Sequence, residues 1–121
     1  MTDVAQPIRV LLVEDSEVYR DSLVFLLGTR SDVAVVAAVG DGAAAVRASA
    51  EHEPDVVVLD YRLPDVDGAA VAAELPGPVV FLSASAGRDE YDAASSAGAA
   101  LVRKDEGIDA LLVAIRAAAG R

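Results

Sequence analysis

Five polar side chains of this 121-residue chain have the types and spacing that phosphate and metal chemistry requires: Glu14, Asp15, Asp60, Ser83 and Lys104. Three carboxylates brought into one cleft repel one another unless a cation joins them, and Mg²⁺ binds both carboxylates and phosphate oxygens. A carboxylate can also attack a phosphoryl group when fixed donors neutralise the charge on its oxygens. A hydroxyl group and a lysine ammonium group would supply such donors. The leading hypothesis is therefore a combined phosphate and metal site, with Asp60 at its centre.

The elements that must position these residues are five apolar runs that alternate with helical patterns, which predicts parallel βαβ units and an α/β fold. The predicted strands are Ile8–Val13, Val33–Val39, Val56–Leu59, Val79–Leu82 and Ala99–Arg103. Glu14, Asp60, Ser83 and Lys104 each follow the end of one of these runs. Because the carboxyl ends of parallel strands meet at one edge of a sheet, and ligands bind there, we expect these side chains to converge.

The predicted helices follow from capping residues and apolar periodicity. Ser16 and Asp41 are plausible N-caps of the first two helices, and Gly28 is a plausible end of the first. The third is predicted from Gly68 to Leu75 and the fourth from Arg88 to Ala97, and the last carries the apolar pattern Ile108, Leu111, Leu112 and Ile115. Asp65 and Asp67 are best interpreted as turn and cap residues around Pro64 and Gly68.

The composition excludes several classes of function. A net charge of −10 and a pI near 4.3 predict repulsion from nucleic acid and from anionic lipid, so we expect this chain to make no direct nucleic-acid contact. The absence of cysteine excludes disulfides and thiolate chemistry. The longest apolar run, Val33 to Val39, is far short of the roughly 20 residues that span a bilayer, and the first residues do not form a signal peptide. We therefore expect a cytoplasmic protein with no membrane contact.

Each of the five side chains also has an ordinary structural explanation when it is taken alone. Asp60 could cap a loop, Ser83 could bond nearby backbone, and Lys104, the only lysine beside nine arginines, could be a surface charge. Glu14 and Asp15 could be a solvated pair before a helix. Their joint placement at one predicted edge of the sheet favours a shared site.

The same residues lie in four motifs that resemble the receiver domains of two-component response regulators. The motifs are Val13-Glu14-Asp15, Leu59-Asp60-x-x-Leu63-Pro64-x-x-Asp67-Gly68, Leu82-Ser83-Ala84 and Lys104. They occur in order over nearly the whole chain. Two further segments, Ala97-Gly98-Ala99-Ala100 and Arg103-Lys104-Asp105, are most similar to receivers of the LuxR-type DNA-binding regulators.

This resemblance implies a flavodoxin-like, doubly wound sheet of five parallel strands in the order 2-1-3-4-5 with five helices, forming a single receiver domain over residues 1–121. It implies that Asp60 accepts phosphate from a sensor histidine kinase. Mg²⁺ would be held by Asp15, Asp60 and the backbone carbonyl of Arg62, with Glu14 reaching it through water. Ser83 and Lys104 would then hydrogen-bond the phosphoryl oxygens, while Arg62 and Ser85 flank the site and could tune water access.

The chain departs from the usual receiver pattern at three places. Leu101 occupies the position, three residues before Lys104, where receivers usually carry an aromatic residue that turns inward on phosphorylation. Asp105 follows Lys104 where receivers usually have proline. The stretch from Asp60 to Ser83 is shorter than in most receivers by about two helical turns of 3.6 residues, and we expect the third helix to be the shortened element. The DNA-binding domain of the LuxR type is absent from the sequence, so we expect a stand-alone receiver or a fragment.

The sequence leaves three functions open. The first is a phosphoacceptor that hydrolyses its own phosphate slowly, is otherwise no enzyme, and changes self-association or partner binding, with a homodimer through the fourth helix, fifth strand and fifth helix. The second is a pseudo-receiver, an interaction module that works without phosphorylation, which Leu101 and the short third helix motivate. The third is a phosphatase of the haloacid dehalogenase type, which needs a second Asp where this chain has Arg62.

Overall fold

The computed structural model describes residues 6–84 and 87–121, which form one parallel sheet with helices on both faces. The elements are β1 (Ile8–Val13), α1 (Glu17–Gly28), β2 (Val33–Val39), α2 (Gly42–His52), β3 (Val56–Asp60), α3 (Gly68–Ala72), β4 (Val79–Ser83), α4 (Arg88–Ser96), β5 (Ala100–Arg103) and α5 (Ile108–Ala118). A short 3₁₀ turn, Lys104–Glu106, joins β5 to α5. The sheet order is β2-β1-β3-β4-β5, and every pairing is parallel. The predicted flavodoxin-like fold class is confirmed.

Alternate residues along each strand point to opposite faces of the sheet and build two separate cores. One core contains Ile8, Val10 and Leu12 of β1 and packs against α1 and α5 through Leu23, Leu27, Leu111, Leu112 and Ile115. The other contains Leu11 and Val13 of β1 and packs against α2, α3 and α4 through Ala45, Ala48, Val71 and Ala94. The strands are apolar on both faces because both faces are covered. This explains why the strand segments are continuous runs of Val and Leu.

The helix boundaries follow from the capping residues that the sequence predicts. Ser16 Oγ accepts a hydrogen bond from Tyr19 N at 3.3 Å at the start of α1, and Asp41 Oδ1 accepts one from Ala44 N at 2.8 Å at the start of α2. These contacts satisfy backbone donors that have no partner inside the helix. Gly107 precedes α5 with φ of 87°, a left-handed conformation that glycine adopts without strain.

The helix α3 is short, as the sequence spacing predicts, and it ends earlier than Leu75. Only Gly68–Ala72 form α-helix, after which the chain turns through residues 73–78 into β4. Leu75 nevertheless remains buried with 9% of its surface exposed, so the turn still covers the core that α3 shares with α2 and α4. No helix within residues 6–84 and 87–121 combines the length and apolar character that a membrane crossing requires.

Candidate functional site

The alternation of the strands decides which way each predicted site residue points. Glu14 continues the series Val10 and Leu12, and Asp60 continues the series Val56 and Val58, so both lie on the sheet face covered by α1 and α5. Ser83 has the opposite parity, because it continues Val79 and Phe81 on the face covered by α3 and α4. The site therefore spans the carboxyl edge of the sheet, with its carboxylates on one side and its hydroxyl on the other.

Lys104 joins two of the carboxylates at the switch point between β1 and β3. Its Nζ lies 3.1 Å from Asp60 Oδ2 and forms a second ion pair with Glu14 Oε1. Asp60 is 5% exposed and Glu14 is fully buried, so the ammonium group compensates charges that water cannot solvate well. Burial alone would lower the pKa of Lys104, but the two paired carboxylates outweigh it and raise that pKa above 10.5.

The acidic cluster carries more negative charge than Lys104 compensates. Ligand atoms of Glu14, Asp15 and Asp60 all lie within 4.8 Å of one another, so three carboxylates face one ammonium group and two formal negative charges remain. Apart from its contact with Lys104, Glu14 Oε1 has no hydrogen-bond partner among the described residues. Asp15 is exposed, which leaves the cluster accessible from solvent. Hard oxygen ligands with excess negative charge suit Mg²⁺.

A cleft of about 270 Å³ opens above the cluster and gathers the predicted acceptor residues. It is lined by Asp15, Asp60, Arg62, Ser83, Ala84 and Lys104. Ser83 is 3% exposed, and its Oγ donates a hydrogen bond to Glu90 Oε2 at 3.2 Å. The structure therefore brings together every side chain that the sequence placed at the site, while Ser85 lies outside the described residues.

The loop after β3 holds Asp60 through its own backbone. Arg62 N donates to Asp60 Oδ1 at 3.0 Å, and Lys104 Nζ donates to the other carboxylate oxygen, Oδ2. Both carboxylate oxygens are therefore held. The loop closes where Gly68 N donates to Tyr61 O at 2.7 Å. A Cβ atom at Gly68 would lie 2.6 Å from Asp60 O, so only glycine allows this approach. The spacing of Asp60 and Gly68 in the sequence thus has a steric cause.

Two residues at the site were not predicted from the sequence. Tyr19 of α1 places its ring 4.7 Å from Lys104 Nζ in a cation–π contact, and burial raises the pKa of Tyr19 although Lys104 opposes the shift. Glu90 of α4 accepts from Arg62 Nη2 at 3.1 Å as well as from Ser83. Burial opposes ionisation of Glu90, but these hydrogen bonds outweigh it and lower the pKa of Glu90. The only sequence signal for Glu90 is its place three residues after the N-cap Gly87, which is typical of an acidic capping residue.

Asp65 lies beside the site and caps a helix that is distant in sequence. Its carboxylate accepts from Gly42 N at 2.9 Å and from Ala43 N at 3.1 Å, at the start of α2. These hydrogen bonds, first of all the one from Gly42, hold the pKa of Asp65 below its usual value. Asp67 is the N-cap of α3, as predicted, but its side chain makes no capping hydrogen bond. The loop that positions Asp60 is thereby tied to α2.

Comparison with known proteins places this geometry in a family. Residues 10–116 match the family described as response regulator receiver domain. The transcriptional regulatory protein NarL of Mycobacterium tuberculosis is 38% identical over 109 residues, which cover 83% of this chain and 49% of that protein. A protein-glutamate methylesterase/protein-glutamine glutaminase of Nitrosospira multiformis is 34% identical over 109 residues, covering 84% of this chain and 31% of that enzyme.

The backbone agrees with these matches. The crystal structure of a LuxR-family two-component response regulator from Aurantimonas superposes with a TM-score of 0.88 at 28% identity, covering 95% of this chain and 86% of that one. This chain spans half or less of the length of the two relatives, whose names denote a transcriptional regulator and an enzyme. What each shares with it is a stretch of 109 aligned residues. The chain belongs to the receiver domains of two-component response regulators.

Proposed function

We propose that this chain accepts a phosphoryl group on Asp60 and that the reaction depends on Mg²⁺. The observation that carries the proposal is the convergence of Asp60, Lys104 and the acidic pair Glu14 and Asp15 in one cleft that Ser83 also lines. All five side chains of the acceptor set are therefore present in one place. No observation among the described residues favours the phosphorylation-independent alternative.

In the proposed reaction an Asp60 carboxylate oxygen forms a bond to phosphorus while the donor's bond to phosphorus breaks. The donor is a phosphohistidine of a sensor kinase, whose P–N bond is cleaved, and the product is an aspartyl phosphate. Lys104 would stay beside Asp60 and donate to a phosphoryl oxygen, because its flexible ammonium group already reaches that carboxylate. Ser83 would donate its hydroxyl proton to a second phosphoryl oxygen. Water attack on the acyl phosphate would return the chain to its starting state.

The residues present fit a divalent metal ion. Glu14, Asp15 and Asp60 hold the uncompensated charge. Arg62 is one of the residues that line the same cleft, and its backbone carbonyl would complete the protein ligands. A bound Mg²⁺ would supply neutralisation of the charge that builds up on the phosphoryl oxygens. As the resemblance to receiver domains implies, we assign Asp15 and Asp60 the direct contacts, and Glu14, which is fully buried, a role through water.

The proposed partners are a sensor histidine kinase and a second copy of this chain. The α1 helix, whose Tyr19 contacts Lys104, exposes apolar Val18 and Phe25, a surface that a protein partner could cover. The surface formed by α4, β5 and α5 exposes Tyr91 and Val113, and we propose it as the homodimer contact. We also propose that the protein is cytoplasmic and contacts neither membrane nor nucleic acid directly. It would form one receiver domain over residues 1–121, with no catalytic activity beyond its own phosphorylation and dephosphorylation.

The proposal is tested by the intact mass of the protein after incubation with acetyl phosphate or phosphoramidate. We expect one phosphoryl adduct in the presence of Mg²⁺, and none without Mg²⁺ or in Asp60→Asn. Asp92→Asn, which removes an exposed carboxylate of α4, is the matched control and should be phosphorylated like the wild type. An adduct that persists in Asp60→Asn, or no adduct from either small donor or from phosphorylated kinase, would overturn the proposal.

A further inference from the structure

Glu90 of α4 contacts two residues of the acceptor cleft, and acceptor chemistry gives it no role. The residue is only 9% exposed although it stands in the first turn of α4. It accepts three hydrogen bonds: from Ser83 Oγ at 3.2 Å, from Arg62 Nη2 at 3.1 Å and from Gly87 N at 3.3 Å. Two of these three donors, Ser83 and Arg62, also line the cleft above Asp60.

The direction of the bond between Ser83 and Glu90 is fixed by chemistry. An ionised carboxylate can only accept, so the hydroxyl proton of Ser83 points toward Glu90. A hydroxyl group has one proton. The proton that is donated to Glu90 is therefore not available to an oxygen of a phosphoryl group on Asp60. Hydrogen bonding of Ser83 to Glu90 and to a phosphoryl group are mutually exclusive.

We infer that Glu90 is a competing acceptor for the Ser83 hydroxyl, and that the loss of this hydrogen bond on phosphorylation transmits the state of Asp60 to the first turn of α4. The inference rests on the proposed phosphorylation of Asp60. It makes Glu90 a positioning residue, which acts through Ser83 and touches neither the phosphoryl donor nor Asp60.

The same carboxylate oxygen provides the connection to α4. Glu90 Oε2 accepts both from Ser83 and from the backbone N–H of Gly87, the N-cap of the helix. When Ser83 turns toward a phosphoryl group, Glu90 loses one donor and faces new negative charge across the cleft. The contacts that hold the helix start to β4 then weaken, because Ser83 is the last residue of that strand.

The first test measures the affinity of the 121-residue chain for beryllofluoride with Mg²⁺, a noncovalent mimic of the phosphoryl group, by fluorine NMR. Glu90→Gln replaces a charged acceptor with a neutral one, and we expect binding to tighten about fivefold. Glu90→Asp keeps the charge but withdraws the carboxylate from Ser83, and it should tighten binding in the same direction. Asp92→Asn controls for loss of an acidic charge on the same helix and should stay within about twofold of wild type.

A Ser83→Ala background separates competition from simple charge repulsion. If Glu90 acts through the Ser83 hydroxyl, Glu90→Gln must raise the affinity for beryllofluoride less when that hydroxyl is absent. The inference is overturned if Glu90→Gln raises the affinity equally in both backgrounds. It is also overturned if neither Glu90→Gln nor Glu90→Asp raises the affinity when circular dichroism shows both variants to be folded. Absence of any phosphoryl adduct on the wild type would refute the proposed function and this inference together, whereas an adduct without the Glu90 effect refutes the inference alone.

Amide hydrogen exchange tests the transmission to α4. We expect beryllofluoride to speed exchange in residues 88–91 of the wild type, and to change it less in Glu90→Gln, where the hydrogen bond is already weakened. Unchanged exchange in the wild type at saturating beryllofluoride would overturn the proposed link between Ser83 and the helix.

Discussion

Replacing Gly68 with alanine should both destabilise the protein and slow the proposed phosphorylation of Asp60. A Cβ atom at this position would lie 2.6 Å from Asp60 O and 2.8 Å from Tyr61 Cα. Both contacts are with backbone atoms, which cannot rotate away as a flexible side chain can. The loop after β3 must therefore move, and this loop holds Asp60 through the hydrogen bond from Arg62 N.

The magnitude follows from two opposing contributions. Forcing an additional methyl group into a packed site costs about 1–3 kcal/mol. Gly68 begins α3, where alanine is the better helix former, and this offsets about 0.5–1 kcal/mol of that cost. We expect a net loss of about 1–2 kcal/mol in the free energy of unfolding, which lowers Tm by about 3–8 °C for a chain of this size.

The matched control is Gly28→Ala at the end of α1. An added Cβ at Gly28 meets no atom within 4 Å, and its φ is not in the left-handed region, so this substitution should leave stability unchanged or raise it by up to about 1 kcal/mol. Urea unfolding followed by circular dichroism measures both variants, and phosphoramidate uptake measures the site. A Gly68→Ala protein as stable as the wild type, with the same rate of uptake, would refute the steric argument.

Three further predictions concern charges whose partners the structure identifies. Lys104→Met leaves two buried carboxylates without their cation and should lower the free energy of unfolding by up to about 3 kcal/mol; an unchanged urea midpoint would contradict a stabilising role of these ion pairs. Arg116 lowers the pKa of Asp32 through a hydrogen bond, so the stability that this pair provides is complete above pH 3.8 and is lost as pH falls through the lower folded-state pKa. The urea midpoint of Asp32→Asn should therefore lie below that of the wild type at pH 6, and the difference should shrink as pH falls below 3.8. Asp65→Ala removes the hydrogen bonds from Gly42 N and Ala43 N at the start of α2, while the N-cap Asp41 remains, and it should lower the urea midpoint more than Asp67→Ala, whose carboxylate makes no capping bond; the reverse order would contradict the assignment.

The fold could be predicted from the sequence because its strands are apolar on both faces. The runs at β1 and β2 have the predicted limits, and the other three differ by one residue at one end. The end of α3 was placed too late, at Leu75, because that residue is buried by a turn rather than by a helix. Burial and helical structure are separate properties, and apolar spacing reports only burial.

The site could be predicted in part, because the ends of parallel strands must meet. That rule places Glu14, Asp60, Ser83 and Lys104 at one edge without knowledge of any contact. It does not reveal which side chains satisfy one another. The cap that Asp65 provides to α2 joins residues 23 apart, and it depends on how the loop after β3 folds over that helix. The contact of Glu90 with Ser83 depends equally on the packing of α4.

Strand parity limits how the proposed phosphorylation of Asp60 would influence the rest of the molecule. Asp60 and Glu14 lie on the sheet face of α1 and α5, together with Tyr19, which contacts Lys104. Ser83 points to the opposite face and contacts α4 through Glu90. Leu101 packs on that same face, and its side chain has no polar group that could exchange partners. Ser83 and Arg62 of the proposed acceptor site both contact Glu90 of α4, and Ser83 is the one whose hydroxyl proton would pass to a phosphoryl oxygen. The identity of residue 90 should therefore set how strongly Ser83 reports the state of Asp60 to α4.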